Sequence, residues 1–117
     1  MQSDELAKCI ETELDSRKGM HITTLDVRDK TTITDYMIVV TATSTRHAKS
    51  LCDNVLEKLK EYDIKPLGVE GGGGSDWMLV DLGDVIVHVM TGLTREYYQL
   101  EKLWSVPAGF ENSKSIS

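Results

Sequence analysis

Carboxylates that follow a glycine run are the first candidates for chemistry in this chain. Nucleotide transfer needs carboxylates that bind two metal ions, commonly an Asp-x-Asp pair on a strand after a Gly-Ser turn. Gly74-Ser75 is present, but Asp76, Asp81 and Asp84 do not form such a pair. No serine, cysteine or lysine lies in a recognisable nucleophile motif. The sequence therefore predicts a protein that is not an enzyme.

Two further chemical sites are disfavoured by spacing. His21, His47 and His88 have no cysteine or carboxylate at ligand spacing, so a metal site is not expected. The run 71–74 consists of glycine, but no Lys-Ser/Thr pair and no helix follow it, as a phosphate loop requires. We expect a flexible connector there, and no cofactor.

The most regular stretch runs from Asp76 to Met90, where Gly83-Asp84 separates two apolar runs. Gly-Asp suits the two central positions of a tight hairpin, and the resulting register pairs Leu79 with His88. Because side chains alternate between the faces of a strand, each face of the hairpin can be predicted. One face is aliphatic: Met78, Val80, Leu82, Val85, Val87 and Val89. The other face is mixed: Trp77, Leu79, Asp81, Ile86, His88 and Met90.

This asymmetry is the main functional clue from the residues themselves. The aliphatic face must lie on the core, whereas the mixed face has the composition of a binding surface. His88 could act there as a general base or as an interface donor. The alternative is that helices cover both faces, with Asp81 satisfied inside and His88 held by Asp81 or Tyr98. The residues alone leave both interpretations open.

The segments around the hairpin predict the elements that position it. Helical spacing of apolar residues predicts helices over 4–17, 45–62 and 94–104, and β-branched or apolar runs predict strands at 22–27, 36–40 and 67–70. A strand, a helix and a strand in that order suggest a βαβ crossover. The predicted fold class is α/β, with a mixed β-sheet of about five strands and flanking helices. We expect a single domain over residues 1–104 and a flexible C-terminal tail over residues 105–117.

Tyr98 has two possible roles. With Thr94 as N-cap of the last helix, Leu93 and Tyr98 would form a hydrophobic staple. Tyr98 also lies off the predicted apolar stripe of that helix, which contains Tyr97, so its ring could instead extend the mixed face. Tyrosine and tryptophan are common interface anchors.

Charge and composition narrow the class of partner. The 117 residues carry 19 acidic and 13 basic side chains, a net charge of −6. An acidic chain is not attracted to a phosphate backbone, so direct nucleic-acid binding is disfavoured and a basic protein partner is favoured. No apolar run is long enough to span a membrane. The N-terminus lacks the features of a secretory signal, and we expect a cytoplasmic protein.

A combination of motifs is similar to the ribosomal silencing factor family (RsfS, also called Iojap). The matching segments are residues 32–36 (TITDY), 43–47 (TSTRH), 68–71 (GVEG), 76–90 (DWMLVDLGDVIVHVM) and 95–104 (REYYQLEKLW). The resemblance extends from the first helix to Trp104. One departure is the glycine run 71–74, where family members commonly carry charged or mixed residues.

The resemblance implies a non-enzymatic repressor of translation. Such a protein binds the large ribosomal subunit through its fourteenth ribosomal protein, at the intersubunit face, and blocks joining of the small subunit when nutrients are short. The family fold looks like a trimmed nucleotidyltransferase core. By position, the partner-contacting residues correspond to Trp77, Leu82 and Tyr98, with neighbours on the hairpin. The predicted partner-binding set is Trp77, Asp81, Leu82, Gly83, His88, Met90 and Tyr98.

Two expectations disagree about Leu82. The resemblance implies that it contacts the partner, whereas the predicted register places it on the aliphatic face. Two other functions stay open beside ribosome binding. The mixed face could form a homodimer contact, since dimers are the commonest symmetric assembly. A self-associating nucleotidyltransferase-like protein with residual nucleotide binding is the alternative from the enzyme class.

Overall fold

The structure is a computed structural model that describes residues 1–105. Residues 106–117 of the predicted tail lie outside the described residues. The elements in chain order are α1 (Ser3–Ser16), β1 (Met20–Asp26), β2 (Tyr36–Ala42), α2 (Thr45–Lys60), β3 (Gly68–Glu70), β4 (Trp77–Asp81), β5 (Val85–Thr91), α3 (Gly92–Tyr98) and α4 (Leu100–Ser105).

The strands form one five-stranded mixed sheet in the order β1-β2-β5-β4-β3, which confirms the predicted fold class. Strands β2 and β5 pair in parallel, and the other neighbours are antiparallel. Residues 37–40 of β2 are apolar and buried, as expected of a central strand covered on both faces. Helix α2 follows β2, and its N-cap Ser44 accepts a hydrogen bond from the amide of His47, at 3.0 Å. The predicted crossover exists, but β3 lies at the sheet edge and pairs only with β4.

The hairpin β4–β5 has the predicted register. Leu79 pairs with His88, Trp77 pairs with Met90, and the amide of Leu82 donates to the carbonyl of Val85 at 2.9 Å. Gly83 has φ +86°, a left-handed conformation that glycine adopts at low cost. The aliphatic face of the hairpin joins the core beneath α1 and α2. The core residues from α1 and α2 are Leu6, Ala7, Ile10, Leu14, Ala48, Leu51, Cys52, Val55 and Leu59.

The prediction of one continuous helix over 94–104 is wrong, because the structure has two short helices there. Helix α3 begins at Gly92 with Thr91 as N-cap, and Gln99, with φ +50°, separates it from α4. Leu93 and Tyr97 are 82% and 80% exposed, so the predicted staple is absent and Tyr97 does not pack against the sheet as a residue of the predicted stripe would. The side chain of Arg95 docks α3 on the sheet instead. Among the described residues, no helix has the length and apolarity needed to cross a membrane.

The glycine run 71–74 connects β3 to β4, and only part of it is free of steric constraint. Gly71 has φ +91°, and a Cβ there would lie 2.9 Å from the carbonyl oxygen of Trp77 and 3.2 Å from the Cα of Met78. Both atoms belong to the backbone of β4, so they cannot move aside cheaply. At Gly72 a Cβ would meet no atom within 4 Å. The connector is therefore packed tightly at its first residue and open at its second.

We predict that Gly71→Ala lowers the free energy of unfolding by about 1–3 kcal/mol, because it adds both a backbone clash and an unfavourable φ. Gly72→Ala is the matched control and should leave stability nearly unchanged. Urea unfolding followed by far-ultraviolet circular dichroism measures both. Equal midpoints for the two variants would contradict the packing at Gly71.

Candidate partner-binding surface on the second sheet face

The sheet face opposite α1 and α2, here called the second face, carries the predicted mixed residues of the hairpin. Register and alternation add side chains from the neighbouring strands. The second face comprises Thr23, Leu25, Met37, Val39, Thr41, Glu70, Trp77, Leu79, Asp81, Ile86, His88 and Met90. Helices α3 and α4 pack against one end of it, through β1, β2 and β5. Leu25, Leu79 and Ile86 stay partly exposed.

Trp77 and His88 form the centre of the candidate site. The indole Nε1–H of Trp77 donates to Nδ1 of His88 at 3.0 Å, and the ring centroids are 5.7 Å apart. His88 is 6% exposed, and this burial lowers the pKa of its imidazole to about 4. The imidazole is therefore neutral at pH 7. Because Nδ1 accepts, the remaining proton must be on Nε2.

Tyr98 extends this pair to the surface. Its ring lies 4.6 Å from the Trp77 ring, centroid to centroid, and the Tyr97 ring meets it edge-on at 4.9 Å. Such tilted and edge-on contacts suit the quadrupoles of aromatic rings. Tyr98 is 51% exposed and Trp77 is partly exposed. Trp77, His88, Tyr97 and Tyr98, here called the aromatic cluster, form a continuous line of rings from the sheet outward.

Arg95 holds α3 in the position that brings Tyr98 onto Trp77. Its guanidinium donates to the hydroxyls of Thr41 at 2.9 Å and Thr23 at 2.8 Å, and to the carbonyl of His21. His21 has φ +51°, and the β1–β2 register shifts at this point, so an irregularity in the edge strand presents this carbonyl. Sequence reasoning missed this role of Arg95.

Glu101 completes the Arg95 site from α4. Its Oε2 accepts from Nη2 of Arg95 at 2.6 Å and from Nε at 2.9 Å. Burial by itself would raise the pKa of Glu101, but the hydrogen bonds from Arg95 and from the backbone lower it overall. The pair is thus ionised at neutral pH. The arginine joins α3, α4, β1 and β2 through one side chain.

The structure divides the predicted partner-binding residues into two groups. Trp77, His88 and Tyr98 come together in the aromatic cluster, and Met90 lies opposite Trp77 on the neighbouring strand. Asp81, Leu82 and Gly83 lie at and just beyond the other end of β4, about 13 to 20 Å from Trp77 at the usual rise of a strand. Asp81 Oδ1 accepts from the amide of Gly83 at 2.9 Å, so it stabilises the hairpin turn.

Three of the predicted contact residues are buried. Leu82 is 9% exposed within the core, and Met90 is 0% exposed beside Thr41. Together with His88 they lie beneath the surface, so we expect them to support the surface residues from below. Burial of His88 favours the interpretation of a hydrogen-bonded histidine over a general base. Its partner is Trp77, however, and not Asp81 or Tyr98. Asp81, the other diagonal neighbour of His88, accepts from the amide of Gly83 instead.

No group of three metal-ligating side chains is present in the part of the chain that the structure describes. The arrangement of the second face offers instead a rigid, partly exposed aromatic anchor with hydrogen-bonded support. Rigid tryptophan and tyrosine side chains bind a partner with a small loss of side-chain entropy. The geometry therefore suits molecular recognition.

We predict that His88 makes folding stability depend on pH. The unfolded imidazole has its ordinary pKa of 6.5, so it takes up a proton at a higher pH than the folded one. Stability contributed by this difference is complete above pH 6.5 and is lost as the pH falls towards 4. From pH 7.5 to pH 5 the loss amounts to about 2 kcal/mol.

His88→Asn is the matched variant, because an asparagine Oδ1 can replace Nδ1 as acceptor but does not titrate. Urea unfolding of both proteins across this pH range isolates the effect, since all other groups titrate alike in the two. The wild type should lose the additional 2 kcal/mol or so that the variant does not. Parallel curves would show that His88 does not titrate differently on folding.

Comparison with known proteins identifies the family. The family model described as "Ribosomal silencing factor during starvation" matches residues 1–117. The chain is 47% identical over 92 residues to the ribosomal silencing factor RsfS of Haemophilus influenzae, with 79% of this chain and 90% of that relative covered. It is 41% identical over 104 residues to RsfS of Chromobacterium violaceum, with 89% and 85% covered.

Two solved structures have the same fold as this chain. The crystal structure of a protein from Chromobacterium violaceum matches with a TM-score of 0.87 at 38% identity, covering 100% of both chains. A crystal structure from Bacillus halodurans matches with a TM-score of 0.78 at 29% identity, covering 86% of this chain and 94% of that one. The chain therefore belongs to the ribosomal silencing factor family.

Proposed function

We propose that this protein represses translation in the cytoplasm, especially under nutrient limitation. It binds the large ribosomal subunit through the fourteenth ribosomal protein and blocks joining of the small subunit. The observation that carries the proposal is the aromatic cluster, a rigid and partly exposed anchor on the sheet face that α1 and α2 leave free, in a member of this family. No catalytic step is needed, because a protein at the intersubunit face inhibits by occupying space.

Preorganisation supports this role for Trp77. The indole is held from below by His88 and from the side by Tyr98, so its orientation is set before a partner arrives. Binding then requires little ordering of side chains. A tryptophan in this position commonly contributes about 2 kcal/mol or more to a protein interface.

Charge supports a basic protein as the partner. The net charge of −6 disfavours direct contact with RNA phosphates as the main source of affinity. An acidic protein that docks a basic ribosomal protein gains association rate and specificity from charge complementarity. We therefore expect binding to weaken as salt concentration rises.

We predict that Trp77→Ala abolishes most of the inhibition of subunit joining. A loss of about 2 kcal/mol weakens binding about 30-fold. Purified protein is added to separated subunits, and joining is followed on sucrose gradients. Wild type should reduce the amount of joined ribosome at a concentration where Trp77→Ala does not.

Two controls make the experiment specific. Tyr62→Ala removes an exposed aromatic ring just beyond α2 and should inhibit joining as well as wild type. Trp77→Phe keeps a ring but loses the donor to His88, and it should fall between wild type and Trp77→Ala. If joining is unchanged by an excess of wild-type protein, the proposed function is wrong.

A further inference from the structure

Helix α3 presents two apolar side chains to solvent next to the aromatic cluster. Leu93 and Tyr97 are four residues apart, so they lie on the same side of the helix. Leu93, Thr94, Glu96, Tyr97 and Tyr98 line a shallow groove of about 490 Å³, here called the α3 groove. The groove is continuous with the aromatic cluster, because the Tyr97 ring contacts Tyr98 and Tyr98 contacts Trp77.

The fold does not require these two side chains. Arg95 docks α3 on the sheet, and this contact turns Leu93 and Tyr97 outward. A polar residue at either position would be more favourable in an isolated protein. Adjacent exposed apolar side chains beside polar ones are typical of an interaction surface.

The charges around the groove indicate which partner it fits. Glu96 lines the groove. Asp76 directly precedes Trp77, and Glu70 lies on the second face directly before the glycine run. Within residues 1–105, none of these three carboxylates is paired with a cation. The nearby guanidinium of Arg95 is already paired with Glu101. Glu96 therefore gives the groove an unpaired negative charge beside the apolar side chains of Leu93 and Tyr97.

We propose that the α3 groove is a second docking point for the same ribosomal partner, and that it takes a lysine or arginine side chain of a protein surface. The inference rests on the proposed function and extends the contact from Trp77 to Leu93. The aliphatic stem of a basic residue packs on Leu93 and its cationic head lies near Glu96 and the tyrosine rings. A second copy of this chain and an RNA are disfavoured occupants, because both carry net negative charge, as this chain does.

The test measures binding of the full-length protein to purified large ribosomal subunits by co-sedimentation at two salt concentrations. The double variant Leu93→Ser/Tyr97→Ser should bind about 10-fold more weakly than wild type, equivalent to about 1.4 kcal/mol. Because both side chains are largely exposed, its thermal midpoint should match that of wild type. Tyr62→Ser is the matched control for loss of an exposed tyrosine.

A pair of charge variants tests the chemistry of the occupant. Leu93→Lys and Leu93→Glu remove the same apolar contact, but the lysine places a positive charge against a basic partner. Leu93→Lys should therefore bind more weakly than Leu93→Glu, and the difference should shrink at high salt. The single variant Leu93→Ser keeps Tyr97 in place. If it also binds more weakly than wild type, the loss cannot come from a change in the orientation of Tyr98 caused by Tyr97→Ser.

The possible outcomes separate the two proposals. If Trp77→Ala weakens binding and the double variant binds as wild type does, the inference about the α3 groove is wrong and the proposed function stands. If wild type does not bind the large subunit, both fail. Equal or stronger binding by Leu93→Lys than by Leu93→Glu would overturn the basic occupant. A smaller mass of the double variant in light scattering would show that the groove is a self-association contact.

Discussion

The opposite character of the two hairpin faces constrains the whole molecule. Met78, Val80, Val85, Val87 and Val89 are buried beneath α1 and α2, and the strand period of two places Trp77 and His88 on the reverse side. A slip of one residue would bury the mixed residues and expose the aliphatic ones, which would cost several kcal/mol of apolar burial. Core packing therefore positions Trp77 and His88, although both lie on the face opposite α1 and α2.

The same arrangement places the buried imidazole of His88 beneath Trp77, where it supports the indole. His88 stays neutral because burial disfavours its charged form, and its Nδ1 then remains available to the indole of Trp77. A charged imidazole would carry a proton on Nδ1 and could not accept this hydrogen bond. The orientation of the exposed aromatic anchor thus depends on the protonation state of a residue beneath the surface.

Arg95 provides a polar anchor where sequence periodicity predicts an apolar one. Its guanidinium has carbonyl, hydroxyl and carboxylate acceptors, so a buried charge is compensated by an ion pair and by geometry. Once that contact turns one side of α3 to the sheet, Leu93 and Tyr97 must face solvent. The apolar groove on α3 and the stacking of Tyr98 on Trp77 have this single cause.

The amino-acid sequence by itself determined the class of fold, the hairpin with its register, and the identity of the face that carries Trp77 and His88. These features depend on local periodicity and turn chemistry, which adjacent residues encode. Only the tertiary structure decided the break at Gln99, the partner of His88, the burial of Leu82 and Met90, and the role of Arg95. Each of those depends on contacts between elements distant in the chain, such as Arg95 with Thr23, and spacing along the sequence carries no record of them.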